Sequence, residues 1–172
     1  TIPDSDSWYS AAGVQMRLTT KGRYAVTAMV ELALNQDKGR ISLEEIAERH
    51  GISQSYLEQL FAELRRRGLV DGTRGPGGGY RLGRSRAEIS VADVIDAVDE
   101  SVDATRCRGK RNCQGDHGCL THDLWEELSA QIRLYLSSVT LEAVVAKTRD
   151  SGDIQVLRKW PSVAAQTESS VA

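Results

Sequence analysis

The stretch EEIAERHGISQSYLEQLFAEL, residues 44–64, decides the fold. Two short segments with helical apolar spacing flank a single glycine. Just upstream, Ser42 and Glu45 form an S-x-x-E capping-box pattern that opens a helix running to about His50. Gly51 stops it. A second helix starts near Ser53, carries Leu57, Leu60, Phe61 and Leu64 on one face, and ends in Arg65, Arg66, Arg67 and Gly68, where cations suit a helix C-terminus. This is the pattern of a helix–turn–helix, with Ala47 at the helix contact, Gly51 in the turn and Ile52 and Leu57 in the core. In such a motif the second helix offers its N-terminal polar residues to the major groove. Here these are Ser53, Gln54, Ser55, Tyr56, Glu58 and Gln59. Hydroxyls and amides bond phosphates or base edges, and a glutamate accepts from the cytosine amino group.

Downstream, LVDGTRGPGGGYRLGR (69–84) places two strand-like pieces, Leu69–Asp71 and Gly79–Leu82, around a Gly-rich tip. It reads as a hairpin beside the helix pair, a wing. Arg74 sits at its tip, where an arginine suits the narrow, electronegative minor groove. A phosphate-cradling nucleotide loop would need a G-K-[ST] ending or G-x-G-x-x-G before a helix, and neither is present. Upstream, residues 20–35 repeat apolar residues at helical spacing, ended by Asn35 and DKG. Residues 89–98 form a further short helix with Ser90 as its cap. From His122 to about Val145 an apolar stripe (Leu124, Trp125, Leu128, Ile132, Tyr135, Leu136, Val139, Val144) predicts one long helix. That stripe packs on its own domain or forms a dimer seam centred on Trp125, Leu128, Ile132 and Leu136; the two can coexist. The fold class is therefore mainly α with a small β-hairpin wing, a winged helix–turn–helix domain plus a long C-terminal dimerisation helix. A two-fold dimer also matches palindromic DNA half-sites.

The formal net charge of −2 hides an asymmetry. Residues 16–84 hold 12 Lys/Arg against 8 Asp/Glu, giving +4, whereas residues 85–172 hold 10 against 14, giving −4. Asp4 and Asp6 supply the rest. A basic half joined to an acidic half points to a polyanion partner for the first. No stretch reaches the ~20 apolar residues of a membrane helix, and the first residues lack the basic start and apolar run of a secretory signal. The expectation is a cytoplasmic protein with no membrane partner.

Cys107, Cys113 and Cys119 fall within 99–121, a segment without periodicity, and His122 follows the last. An odd count of three argues against a disulfide framework. Zinc favours close C-x-x-C knuckles, whereas wider gaps with glycines at 109, 115 and 118 suit a loop around a larger cluster. An iron–sulfur cluster, a structural zinc site and unligated thiols all remain open at this point. His117 and Asp116 are rival fourth ligands to His122, which a packed helix start would hold more firmly. An oxidised 2Fe–2S core with three thiolates and a neutral His carries about −1, which Arg106, Arg108, Lys110 and Arg111 are placed to offset. His50 reads as a surface or turn residue. No nucleophile is paired with a base, so an enzyme is not expected.

Together MRLTTKGRYAVTAM, GISQSYLEQLF, RGPGGGYRL, AVDESVDATRC and CLTH resemble the bacterial iron–sulfur cluster transcription regulators of the Rrf-type winged helix–turn–helix family. The resemblance runs from Met16 to about Val145. It implies a cytoplasmic bacterial homodimer that carries a 2Fe–2S cluster, with zinc the runner-up metal. It also implies binding of double-stranded promoter DNA, with repression or activation of cluster-assembly and stress genes. Cluster-assembly proteins and RNA polymerase are further partners that the resemblance would allow. By position, the ligands would be Cys107, Cys113, Cys119 and His122, and the DNA contacts Ser53, Ser55, Tyr56, Glu58, Gln59 and Arg74. The matching glutamate, Glu58, is implied to tune which sites the apo form accepts. The expected division is an extension (1–15), a DNA-binding domain (16–98), a cluster-binding loop (99–121), a dimerisation helix (122–146) and a tail (147–172). Alternatives are a sister regulator with a different cluster and a cluster carrier or scaffold.

Overall fold

The structure, a computed structural model, describes residues 19–100, 102–105, 107, 110–112, 117 and 119–150. The N-terminal extension, Cys113, Asp116, Arg106, Arg108 and the chain after Asp150 lie outside the described residues. Helix α1 spans Thr20–Leu34, with Thr19 as N-cap accepting from Lys21 N. Its buried face of Ala25, Ala28, Met29, Leu32 and Ala33 forms the floor of the core. Small residues there let neighbouring helices approach closely. The capping box at Ser42 and Glu45 is complete in both directions and opens α2, Leu43–His50. Gly51 ends α2 in the left-handed region, φ 63°, which a side chain would strain. Ser53 then caps α3, Gln54–Arg66.

Helix α3 buries Leu57, Leu60, Phe61 and Leu64, all at 1% exposure or less. Truncating Phe61 to Ala would cost about 3–5 kcal/mol. Strands β1 (Val70–Thr73) and β2 (Gly79–Leu82) pair antiparallel, with Val70 opposite Leu82 and Thr73 opposite Gly79. Tyr80 pins this wing to the body. Its backbone exchanges two hydrogen bonds with Ile41, just before α2, and its ring meets Phe61 edge-on at 4.7 Å. Gly79 permits the close approach: its φ is 138°, and a Cβ there would lie 2.6 Å from Ile41 O.

Helix α4 (Val91–Ala97) starts from a second capping box, Ser90 with Asp93. The single helix expected over 122–146 is instead two, α5 (His122–Ser138) and α6 (Leu141–Asp150). The break has a physical cause. Val139 is extended, φ −96° and ψ 111°, and the β-branched pair Val139–Thr140 runs antiparallel to residues 89–91. Val91 N donates to Val139 O at 2.8 Å and Leu141 N to Ile89 O at 2.9 Å. Thr140 Oγ1 then accepts from Ala143 N and caps α6. Helix α6 packs on α1 and sends Leu141 and Val145 into the core, at 0% and 2% exposure. Residues 147–150, expected in the tail, complete it. The end of the apolar stripe thus serves the core shared with α1, and α5 alone carries the remainder.

His50 also differs from expectation. It is half-buried, with Nε2 3.2 Å from Oε2 of Glu31. Glu31, 3% exposed, also pairs with Arg49 and accepts from Asn35 Nδ2 at 2.8 Å. Burial alone would push its carboxyl up, but the His50 and Arg49 hydrogen bonds outweigh it and leave the pKa lowered.

Candidate functional site

Two sets of side chains converge on chemistry. The first lies on α3 and the wing. Ser53, Ser55, Glu58 and Gln59 are exposed along the N-terminal half of α3, and Arg74 is exposed at the wing tip. Ser53 spends one acceptor on its own helix, from Tyr56 N at 3.3 Å. Tyr56 is half-buried, its ring edge-on to Tyr24 of α1 at 6.0 Å, so it anchors the helix as well as facing outward. Gln54 Nε2 donates to Glu58 Oε1 at 3.2 Å, an i,i+4 pair that orients the glutamate and that residue-type reasoning alone did not pick out. The acceptor-rich start of α3 is flanked by exposed Arg65, Arg66 and Arg67 at its other end.

The second set surrounds the start of α5. His122, 3% exposed, is the one residue of that helix buried from solvent among those described. Its Nδ1 lies 3.5 Å from Cys107 Sγ, and its Nε2 faces Glu126 at 3.8 Å. Cys119 is half-buried on the turn leading into α5, with Sγ 3.7 Å from Thr121 Oγ1 and its carbonyl accepting from His122 N at 3.0 Å. His117, the rival ligand, is exposed. Arg111 clasps the loop to α5 through Asp123 at 2.6 Å and Glu126 at 3.2 Å. The Glu126 hydrogen bond and both carboxylates raise its pKa. The structure therefore brings Cys107 and His122 into contact. Cys113 lies outside the described residues, and among those described no group of three donors gathers into a metal site.

Of the expected dimer seam, Trp125 is exposed at 39%, whereas Leu128, Ile132 and Leu136 are half-buried. Leu124, Leu134 and Tyr135, at 58%, 66% and 61%, present further apolar surface on the same helix. Helix α5 is held to the body chiefly through α4, where Arg133 grips Asp96 with both carboxylate oxygens at 2.7 Å.

Residues 18–147 match the Rrf2 family, described as iron-dependent transcriptional regulators. The chain belongs to the Rrf2 family. As an Rrf2 protein it is a DNA-binding transcription regulator rather than an enzyme. It is 62% identical over 130 residues to the HTH-type transcriptional regulator IscR of Xenorhabdus nematophila, covering 76% of this chain and 79% of that one. The corresponding protein of Escherichia coli O1:K1 is 59% identical over 130 residues, covering 76% and 80%. Among solved structures, the Rrf2 chain resembles CymR, the global cysteine regulator of B. subtilis. The TM-score is 0.66 and the identity 34%, over 77% of this chain and 98% of that one. T. potens IscR gives a TM-score of 0.65 and 34% identity, over 81% and 93%. The winged helix–turn–helix expected from residues 42–84 is thus the Rrf2 fold. No described helix is long and apolar enough to cross a membrane.

Proposed function

We propose that this Rrf2 regulator is a homodimer that couples a 2Fe–2S cluster to promoter recognition. The contact between Cys107 Sγ and His122 Nδ1, 3.5 Å apart across fifteen residues of sequence, carries the reading. A thiol facing a buried imidazole is a donor pair that iron–sulfur clusters and zinc both accept. Cys107, Cys113, Cys119 and His122 would hold the group. When bound, a 2Fe–2S cluster supplies one-electron redox chemistry and ties four ligands together. The neighbouring residues serve this role. Packing at the foot of α5 fixes the His122 ring, Glu126 faces its second nitrogen, and the Arg111 clasp holds the loop against α5.

On the DNA side, Ser55, Glu58 and Gln59 read base edges in the major groove, with Ser53 and Tyr56 setting the helix start. Arg74 reaches the adjoining minor groove. Trp125, Leu128, Ile132 and Leu136 form the seam of the dimer, whose paired α3 helices address palindromic half-sites. Support for an iron–sulfur rather than a zinc regulator comes from the wide cysteine gaps and from the relatives named IscR.

Anaerobically purified protein is expected to show visible charge-transfer absorption with iron and acid-labile sulfide in equal amounts. Cys107→Ala and His122→Ala are expected to remove or shift that absorption while the far-ultraviolet circular dichroism stays unchanged. Colourless protein with stoichiometric zinc would overturn the reading. Rapid transfer of the cluster to an acceptor, with no palindrome selectivity, would favour a scaffold instead.

A further inference from the structure

Glu100 stands where α4 gives way to the cysteine loop, and its carboxylate turns back onto the start of α1. Oε1 accepts from Thr19 N at 2.9 Å, and Oε2 accepts from Gly22 N. These amides belong to the first turn of a helix, which has no internal acceptor for them and favours a negative charge. Glu100 is 9% exposed, so the contact is shielded from water. Gly22 makes it sterically possible, since a Cβ there would lie 2.5 Å from Glu100 Oε2.

The same turn of α1 supports the recognition helix. Lys21 Nζ lies 3.0 Å from Glu63 Oε2 on α3, and the Tyr24 ring meets Tyr56. Residues 19–24 are therefore gripped by Glu100 on one side and by α3 on the other. Beyond Glu100 the chain enters the loop under tight control. Ala104 N donates to Ser129 Oγ of α5 at 2.8 Å, Thr105 is 6% exposed, and Cys107 meets His122. Residues 102–105 are thus tied to α5 within a few residues of Glu100, so a shift of the Glu100 carboxylate reaches a segment already fixed at its far side.

We infer that Glu100 is the positioning residue that couples the cysteine loop to the recognition helix, by holding the turn of α1 on which that helix rests. The inference rests on the proposed regulatory role of the loop and deepens it. The mechanical link itself does not depend on which group the cysteines hold. By linkage, DNA binding at α3 must then be felt in the loop.

Hydrogen exchange read by mass spectrometry on the full-length protein tests this. The probe is a duplex selected from random-sequence DNA by the wild-type protein. In the wild type, DNA is expected to slow exchange about fivefold or more at residues 20–24 and also at 102–105. In Glu100→Ala, DNA still protects α3, but residues 102–105 no longer respond. Glu100→Gln, which keeps one acceptor oxygen, retains part of the response. Gly22→Ala, which displaces the carboxylate without removing it, mimics Glu100→Ala and keeps the test decisive if that variant misfolds. A residue that merely stabilised the fold would lower protection in both segments alike and would not separate them. Wild-type DNA protection at 102–105 in Glu100→Ala and Gly22→Ala, or its absence in the wild type, would overturn the inference. Iron and sulfide assays on the same preparation decide the cluster reading separately, since their failure leaves the exchange result standing.

Discussion

Glu31 shows how one carboxylate organises the junction between α1 and α2. It is 3% exposed, and it survives burial because Arg49, His50 and Asn35 all donate to it. The two hydrogen bonds from His50 and Arg49 lower its pKa below 4.5 in spite of desolvation. The sign of the pH effect follows. The folded carboxyl is more acidic than the unfolded one, so the stabilisation is whole above about pH 4.5 and is lost as pH falls through the lowered folded value. At neutral pH, Glu31→Ala is expected to cost about 3 kcal/mol, near the lower bound for removing one partner of a buried pair, because Arg49 keeps some access to water. Melting curves of wild type and variant should differ most near pH 7 and converge toward pH 3. Arg74 makes a simpler case. It projects from the wing with no described partner role in the fold, so Arg74→Ala should leave the melting temperature unchanged. If it contacts one phosphate-lined groove, the variant should lower the dependence of log Kd on log salt by about one unit.

At the scale of elements, the wing depends on a backbone conformation rather than on a side chain. Gly79 combines φ 138° with a Cβ position 2.6 Å from Ile41 O, so Gly79→Ala is expected to destabilise by about 1–3 kcal/mol. The loss should appear as a lower melting temperature and as faster exchange at the Tyr80 amide, which donates to Ile41. Elements whose signals are local were legible in advance. The capping box at Ser42, the cap at Ser90, the turn at Gly51 and the apolar face of α3 all lie within a few residues of what they control. What was not legible depends on distant partners. The break after Ser138 is imposed by pairing with residues 89–91, although Thr140 as a cap with Glu142 in the first turn of α6 was a readable start signal. The role of His50 depends on Glu31, nineteen residues away. The cysteine spacing suggested a shared site, yet only the folded chain places Cys107 against His122.

At the scale of the whole molecule, charge and apolar surface divide between the two ends of the chain. Positive charge accumulates up to residue 84, where α3 and the wing stand, and negative charge follows it. Helix α5 belongs to the acidic part, and its exposed Leu124, Trp125, Leu134 and Tyr135 are more apolar surface than a solvated helix usually carries. The proposed second copy would cover it, since two recognition helices on a palindrome must stand about 34–36 Å apart to enter successive major grooves. Ile132→Glu places a charge in the middle of the proposed seam. Since α5 buries only His122 among its described residues and is tied to α4 by Arg133 and Asp96, the winged domain should fold as before, with unchanged circular dichroism. Sedimentation should shift from dimer to monomer. Linking two binding events raises affinity by about 100–10,000-fold, so the variant should lose about 100-fold or more on a full palindrome. Its affinity for an isolated half-site should stay near that of a wild-type monomer. Ile132→Gln, which removes apolar contact without adding charge, should weaken the dimer in the same direction, separating lost packing from electrostatic repulsion of acidic DNA. A dimer that persists in both variants would move the seam off this face of α5.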